Sequence, residues 1–312
     1  MYRSSAVAFY LAIFNCLCLL FSSCYSCSFT ITNDCPYTIW PGTLAGSGTS
    51  QLPATGFQLD SGQTVQIPSA PGWSGRIWAR TGCKFDEFGM GTCQTGDCGG
   101  RLECDGSGAT PPASLFEITL GRSPAPDDKD FYDVSFVDGY NLPLIAAPVG
   151  VYGASSCNAT GCVSDINRGC PKELQVVNGD EENGDEGGGE VVACKSACEA
   201  FGLDQYCCSG EFANPVTCRP SFYSDIFKRA CPKAYSYAFD DATSTFTCKA
   251  YDYAIIFCPT TTATNGNGVR TVPPVIHSAR SREAAPLVSS STIILPLQGS
   301  ILLLILALLL RK

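Results

Sequence analysis

The chain has 312 residues, 29 of them acidic and 20 basic, and a formal net charge of −9; a surface of that sign excludes nucleic acid and anionic lipid as partners and leaves neutral sugars or cationic surfaces. Its 20 cysteines, single histidine and two methionines are the usage of an exported, oxidised protein. The one histidine, His277, lies in the tail, so no mechanism using a histidine base is expected.

From the amino terminus, Arg3, an apolar run over residues 6–21 and small residues at Ser22, Ser23, Cys24 and Ser26 predict a secretory signal peptide spanning residues 1–26. A cut after Ser28 is the alternative, and it would remove Cys27. The cysteines from Cys35 to Cys258 number 16, so eight bridges are expected within one domain, residues 27–258. Residues 29–33 alternate in character at a period of two, and residues 37–41 follow a turn at Asp34, Cys35 and Pro36, so these are the first two strands. Further short strands are predicted at residues 63–67, 75–81, 115–120, 131–137 and 251–257, each bounded by Gly, Pro, Asp or Ser. Many short strands at such spacing give a mainly β fold, a β-sandwich.

Beyond the predicted strands at 115–120 and 131–137, Asn158 stands in the only N-x-[ST] sequon and is the candidate glycosylation site. Residues 178–190 are rich in acids and glycine and read as a solvated loop. The ligand order of a calcium loop is missing there, and no metal or cofactor is expected. Residues 191–201 read as a helix that puts Cys194 and Cys198 on one face and stops at Gly202. Ser221 caps a second helix through Ala230, with Phe222, Ile226 and Ala230 as its apolar stripe.

After Cys258 the character changes. Residues 259–288, rich in Thr, Ser and Pro, read as a linker, and residues 289–312 as a hydrophobic attachment segment. The uninterrupted apolar part, residues 301–310, makes about 15 Å of helix at 1.5 Å per residue, about half of a hydrocarbon core. Small residues at Ser289, Ser290 and Ser291 before a short apolar end fit a GPI-attachment signal with Ser289 as the attachment residue. A single-pass helix with Arg311 and Lys312 on the cytoplasmic side is the alternative. Either way the domain faces the outside of the plasma membrane, on the wall side.

Residues 89–104 contain three cysteines and almost no large apolar side chain, so covalent links must hold their shape. No C-x-x-C pair occurs among them, which sets zinc aside. The run Gly89-x-Gly91-x-Cys93-x-Thr95-Gly96-Asp97-Cys98, followed by Gly100-x-Leu102-x-Cys104, resembles the signature of the thaumatin-like proteins, pathogenesis-related family five. The opening Asn33-x-Cys35-Pro36-Tyr37-Thr38-Ile39-Trp40 is similar to that family's opening. The resemblance implies a thaumatin-like β-sandwich with a disulfide-rich loop and helix lobe at about residues 157–248. It also implies the pairs Cys35–Cys258, Cys83–Cys93, Cys98–Cys104, Cys157–Cys248, Cys162–Cys231, Cys170–Cys194, Cys198–Cys207 and Cys208–Cys218. Sequence alone leaves the connectivity open.

The family's cleft is lined by one arginine and four acids, and motif position carries them onto Arg76, Glu117, Asp133, Asp138 and Asp240. Phe116 stands where the family usually has alanine. Clustered carboxylates cost Coulomb energy unless a cation or a raised pKa relieves them, and Arg76 is the obvious relief. Such a pair suits glycoside hydrolysis, with one carboxylic acid protonating the leaving oxygen and a second carboxylate activating water or attacking the sugar. In that role Glu117 is the candidate acid and Asp138 its partner. The same cleft also suits binding without turnover, with Tyr140 or Phe136 stacking on sugar rings, or a purely structural role.

The expectation is therefore an extracellular, monomeric defence protein of plant type that binds β-1,3-glucan or another wall polysaccharide, with antifungal action. A weak endo-β-1,3-glucanase and a protein-interaction or enzyme-inhibitor module, the latter using residues 178–190, are the alternatives.

Overall fold

The computed structural model describes residues 27–123, 125–151, 157–178 and 189–259. The predicted signal peptide, most of the acidic loop, the linker beyond residue 259 and the attachment segment with Ser289 lie outside the described residues. In chain order the strands are β1 (Cys27–Asn33), β2 (Trp40–Ala45), β3 (Thr64–Ser69), β4 (Ser74–Arg80), β5 (Lys84–Phe85), β6 (Gly91–Thr92), β7 (Leu115–Thr119) and β8 (Asp130–Ser135). They continue with β9 (Leu144–Val151), β10 (Thr160–Cys162), β11 (Gln175–Val177), β12 (Val191–Cys194), β13 (Phe246–Cys248) and β14 (Ala250–Phe257). The helices are α1 (Ala197–Phe201), α2 (Asp204–Cys207), α3 (Phe222–Ala230) and α4 (Asp241–Ser244).

Two five-stranded sheets, ordered β10-β9-β14-β1-β3 and β13-β8-β7-β4-β2, form a sandwich. Period-two alternation sends Phe29 and Ile31 of β1, with Tyr253 and Ile255 of β14, into the same core as Ile77 of β4, Phe116 and Ile118 of β7, and Val134 of β8. Phe116 is fully buried, with ring centroids 6.4 Å from Phe29 and 6.2 Å from Tyr253. The family's usual alanine is thus replaced on the core side of β7, and Glu117 is left on the other face. At the seam, the Asp130 carboxylate meets Lys249 Nζ at 3.3 Å and accepts from the Tyr253 hydroxyl at 2.9 Å and the Gly121 amide at 2.9 Å. All of this ion pair is buried.

Eight disulfides close, Cys35–Cys258, Cys83–Cys93, Cys98–Cys104, Cys157–Cys248, Cys162–Cys231, Cys170–Cys194, Cys198–Cys207 and Cys208–Cys218, the same pairs that the resemblance implies. Cys27 is buried at the head of β1, and burial pushes its thiol up to about 12.

The signature segment is fastened by a buried cation. Arg80 is fully buried and donates to the carbonyls of Arg101 and Leu102, both at 2.7 Å, and of Trp40 at 3.0 Å. Burial lowers its pKa to about 10, while Asp97 and Glu103 act the other way, so it stays charged at neutral pH. Gly56 lies so close that a Cβ there would stand 1.9 Å from the Leu102 carbonyl oxygen. Asp97 accepts from the amides of Cys93 and Gly100, and Glu103 from those of Thr55 and Gly56. These acids belong to the scaffold.

Three sequence expectations are corrected in the elements. The second strand begins at Trp40, later than predicted, and Ile39 makes only an isolated bridge to Leu59. Residues 191–194 are not helical: they form β12, paired with β11 as a hairpin whose connection is the acidic loop. The helix that follows, α1, starts only after Ser196, whose hydroxyl accepts from the Glu199 amide, and it ends at Gly202 with φ 62°. In α3 the capping box at Ser221 forms with Ser224, but Phe222 is 72% exposed and Phe227 is the buried anchor. The face of α3 that meets the core carries Tyr223, Phe227 and Ala230.

Candidate functional site

Three neighbouring strands place three ionisable side chains in one row. In the antiparallel register Arg76 of β4 stands opposite Glu117 of β7, and Glu117 stands opposite Asp133 of β8. Strand alternation turns all three away from the core, because their neighbours Ile77, Phe116, Ile118 and Val134 fill it. Arg76 lies 3.6 Å from Glu117 and 3.8 Å from Asp138. Half-exposed pairs at such distances are each worth no more than about 1 kcal/mol, so Arg76 organises charge here and does not hold the fold.

Asp138 comes from the turn after β8. Its carbonyl accepts from the Ala113 amide at 2.9 Å, and Tyr140 exchanges two backbone hydrogen bonds of 2.8 Å with Cys194 of β12. Gly139, at φ 81°, lets the turn pass between Pro112 and Cys194, since a Cβ would come within 2.7 Å of one and 2.9 Å of the other. The turn is therefore clamped between the sandwich and the lobe.

The electrostatics divide the acids. Glu117 is raised by burial and by Asp138, against the pull of Arg76. Among the described residues no cation pairs with Asp133: burial first, then Glu117 and Asp241, push it up to about 8, and its Oδ1 is buried without a hydrogen-bond partner there. At neutral pH Asp133 is mainly a neutral acid, able to donate, while Arg76 pulls Glu117 towards its ionised form.

Asp240 is turned to other work. It pairs with Lys228 at 2.8 Å and accepts from the amide and hydroxyl of Ser236 at 3.0 Å. Its neighbour Asp241 is the acid whose field reaches Asp133. So the row and its turn bring together Arg76, Glu117, Asp133 and Asp138, and Asp240 anchors the adjoining lobe segment.

Tyr140 and Phe136 do not face the cleft. They are 0% and 1% exposed and pack edge to face at 5.4 Å, so neither ring stacks on a ligand. Of the two aromatic residues that line the cleft beside Arg76, Glu117 and Asp133, Tyr132 is buried and Phe131 is 55% exposed. It precedes Asp133 by two residues in β8, and strand periodicity puts both on one face. Glu199 was also not anticipated: burial raises it to about 7, Asp138 adds to the shift, and its Oε2 has no partner among the described residues. The run Ser196-x-x-Glu199 carried the signal, a capping box at a helix start. Asn158, the sequon residue, is exposed, and its carbonyl accepts from the Tyr132 hydroxyl.

Comparison with known proteins places this architecture. The family model described as the Thaumatin family matches residues 33–259. Pathogenesis-related thaumatin-like protein 3.5 of Cryptomeria japonica is 54% identical over 243 residues, covering 77% of this chain and 94% of the relative. Thaumatin-like protein 1 of Arabidopsis thaliana is 50% identical over 264 residues, 82% of this chain and 96% of the relative. Pathogenesis-related protein 5 of Arabidopsis thaliana is 54% identical over 231 residues, 74% and 90% of the two chains. With signature, fold and family model in agreement, the chain belongs to the thaumatin family.

Proposed function

We propose that this chain is an extracellular defence protein that binds β-1,3-glucan of a wall in the cleft formed by Arg76, Glu117, Asp133 and Asp138, with Asp240 supporting its lobe side. The observation that carries the reading is the row Arg76–Glu117–Asp133 on an open sheet face with an exposed aromatic, Phe131, beside it. Carboxylates accept from sugar hydroxyls, the neutral Asp133 and the guanidinium donate to them, and an exposed ring covers the apolar face of a pyranose. An acidic chain avoids polyanions, which fits a neutral polymer. The names of the relatives support the defence role. Export, glycosylation at Asn158 and attachment to the outer face of the membrane through the tail belong to the same proposal and rest on sequence.

The test is retention on insoluble β-1,3-glucan. Retention is expected for the unaltered chain and is lost in Glu117→Ala/Asp138→Ala with the circular dichroism spectrum unchanged; full retention by that double variant removes the cleft from the reading.

A second reading, slow endo-hydrolysis of the same glucan, is favoured by one observation: Asp133 stands directly across from the Arg76-paired Glu117 with its Oδ1 buried and without a partner among the described residues, and burial holds its proton on. That arrangement moves the acid role from Glu117 to Asp133, with Glu117 or Asp138 as its partner carboxyl group. Reducing ends released from soluble β-1,3-glucan and abolished by Asp133→Asn are expected; none released at high enzyme concentration ends this reading.

A further inference from the structure

The lobe carries a second surface that the cleft does not use. Four rings from α1, α2 and α3 touch in a chain: Phe201 to Tyr206 at 5.6 Å, Phe201 to Tyr223 at 5.1 Å, Tyr206 to Tyr223 at 6.0 Å and Phe222 to Tyr223 at 5.5 Å. Their inner edge is anchored, since Tyr223 packs on the core and donates to Glu173 at 2.9 Å. Their outer edge is open, with Phe222 72% and Phe201 36% exposed.

A groove runs along this edge, walled by Tyr206, Phe212, Phe222 and Pro220, with Gln205 and Arg219 on its rim. Among the described residues no hydrogen bond or ion pair engages the Arg219 guanidinium, the Gln205 side-chain amide or the Tyr206 hydroxyl. The segment is cross-linked and capped. Cys198–Cys207 and Cys208–Cys218 staple it from both sides, and the Ser221 capping box fixes the start of α3, where Phe222 is the first residue.

Exposed rings of this kind, fixed in place, keep a large apolar contact at small entropic cost. Beside them stand the exposed donors of Gln205 and Arg219, which among the described residues are not engaged by another side chain and are free to exchange water for a ligand. A pyranose offers the complement: an apolar C–H face for the ring, and ring and hydroxyl oxygens for the donors. The net charge of −9 works against an anionic polymer even with Arg219 present. Gln205, Tyr206, Arg219 and Ser221 line in addition an inner pocket that Phe136 and Val137 also line, and Val137 immediately precedes Asp138 of the cleft.

We infer that the groove at Tyr206, Arg219 and Phe222 is a second carbohydrate subsite, which takes the continuation of the same neutral glucan chain that occupies the acidic cleft. It rests on the glucan reading above. A long glucan held at both places binds more tightly than either place alone allows, because the second contact is intramolecular.

The experiment is calorimetric titration of the folded protein with soluble β-1,3-glucan, alongside light scattering and a titration with polygalacturonate. Phe222→Ala and Arg219→Ala are each expected to weaken glucan binding about tenfold, Phe222→Trp to preserve it, and polygalacturonate to bind weakly in all cases. Unchanged binding in both alanine variants, together with loss in Glu117→Ala/Asp138→Ala, overturns the subsite and leaves the cleft reading standing. Loss in Phe222→Ala with no effect of the double cleft variant removes the cleft reading, and the groove then stands as a glucan site by itself. Tighter binding of polygalacturonate, or a dimer that Phe222→Ala dissociates, overturns the inference in favour of an acidic polymer or a second copy of the chain.

Discussion

Asp133 sits directly across from Glu117 and near Asp241, with the only guanidinium of the row on the far side of Glu117. Two like charges opposite one another on neighbouring strands repel, and the fold relieves this by keeping a proton on Asp133. The sign follows from linkage. In the unfolded chain Asp133 ionises in the ordinary carboxylate range, whereas in the folded chain it holds its proton up to about pH 8. Its stabilising contribution is therefore complete at low pH and is lost as pH rises through that window. Glu199, raised to about 7, adds to the same trend. Asp133→Asn keeps the shape and cannot ionise, so its melting temperature is expected to match that of the unaltered protein near pH 3 and to exceed it at pH 8. Thermal melts at the two pH values check this; equal differences at both would place the charge elsewhere. The row itself was legible through family motifs, each acid lying in a recognisable strand sequence. Phe131 was not, although the period that exposes Asp133 exposes it too. Tyr140 and Phe136 were chosen for ring chemistry without asking which face their strand and turn would bury.

Elements meet at a few polar seams, and the one at Asp130 joins both sheets. Asp130 begins β8, while Lys249 precedes β14 and Tyr253 lies within it, so one buried carboxylate ties β8 to the partner sheet. Removing one member of a buried pair leaves the other charge uncompensated, at a cost of about 3–5 kcal/mol. Asp130→Ala is expected to lower stability by that order in chemical unfolding, and Asp130→Ala/Lys249→Met to recover part of it. No recovery in the double variant would mean that the Tyr253 and Gly121 hydrogen bonds, and not the charges, are what the seam needs. The strands that sequence reveals, β1, β3, β4, β7, β8 and β14, have clear turn residues around them. β9 escapes because its Leu-Ile-Ala-Ala-Pro-Val-Gly-Val run has neither alternation nor a bounding turn, yet it pairs with β14 over most of its length. The error at β12 has a local cause. Val191 and Val192 are β-branched, Val191 and Ala193 pair with Val177 and Val176 of β11, and the cap that begins the helix is Ser196, five residues after Val191.

On the scale of the whole molecule the two ends of the domain are joined twice. β1 and β14 run parallel with Asn33 opposite Phe257, and Cys35 is bonded to Cys258 across a separation of 223 residues. A parallel pairing of distant segments is entropically expensive to form, and a link of such length removes much of that cost from the unfolded chain. Four bridges with separations of 10 residues or fewer, Cys83–Cys93, Cys98–Cys104, Cys198–Cys207 and Cys208–Cys218, instead close local loops. The two kinds of bridge therefore have different consequences. Cys35→Ser/Cys258→Ser is expected to destabilise the domain by about 2–5 kcal/mol and to speed hydrogen exchange first in β1 and β14. Loss of Cys208–Cys218 is expected to leave those amides protected and to release the aromatic groove, weakening glucan binding through Phe222 alone. Exchange measured strand by strand in the two variants separates the roles. Uniform acceleration across the sandwich in both would mean that the bridges act as one network, and that the lobe and the sandwich do not open independently.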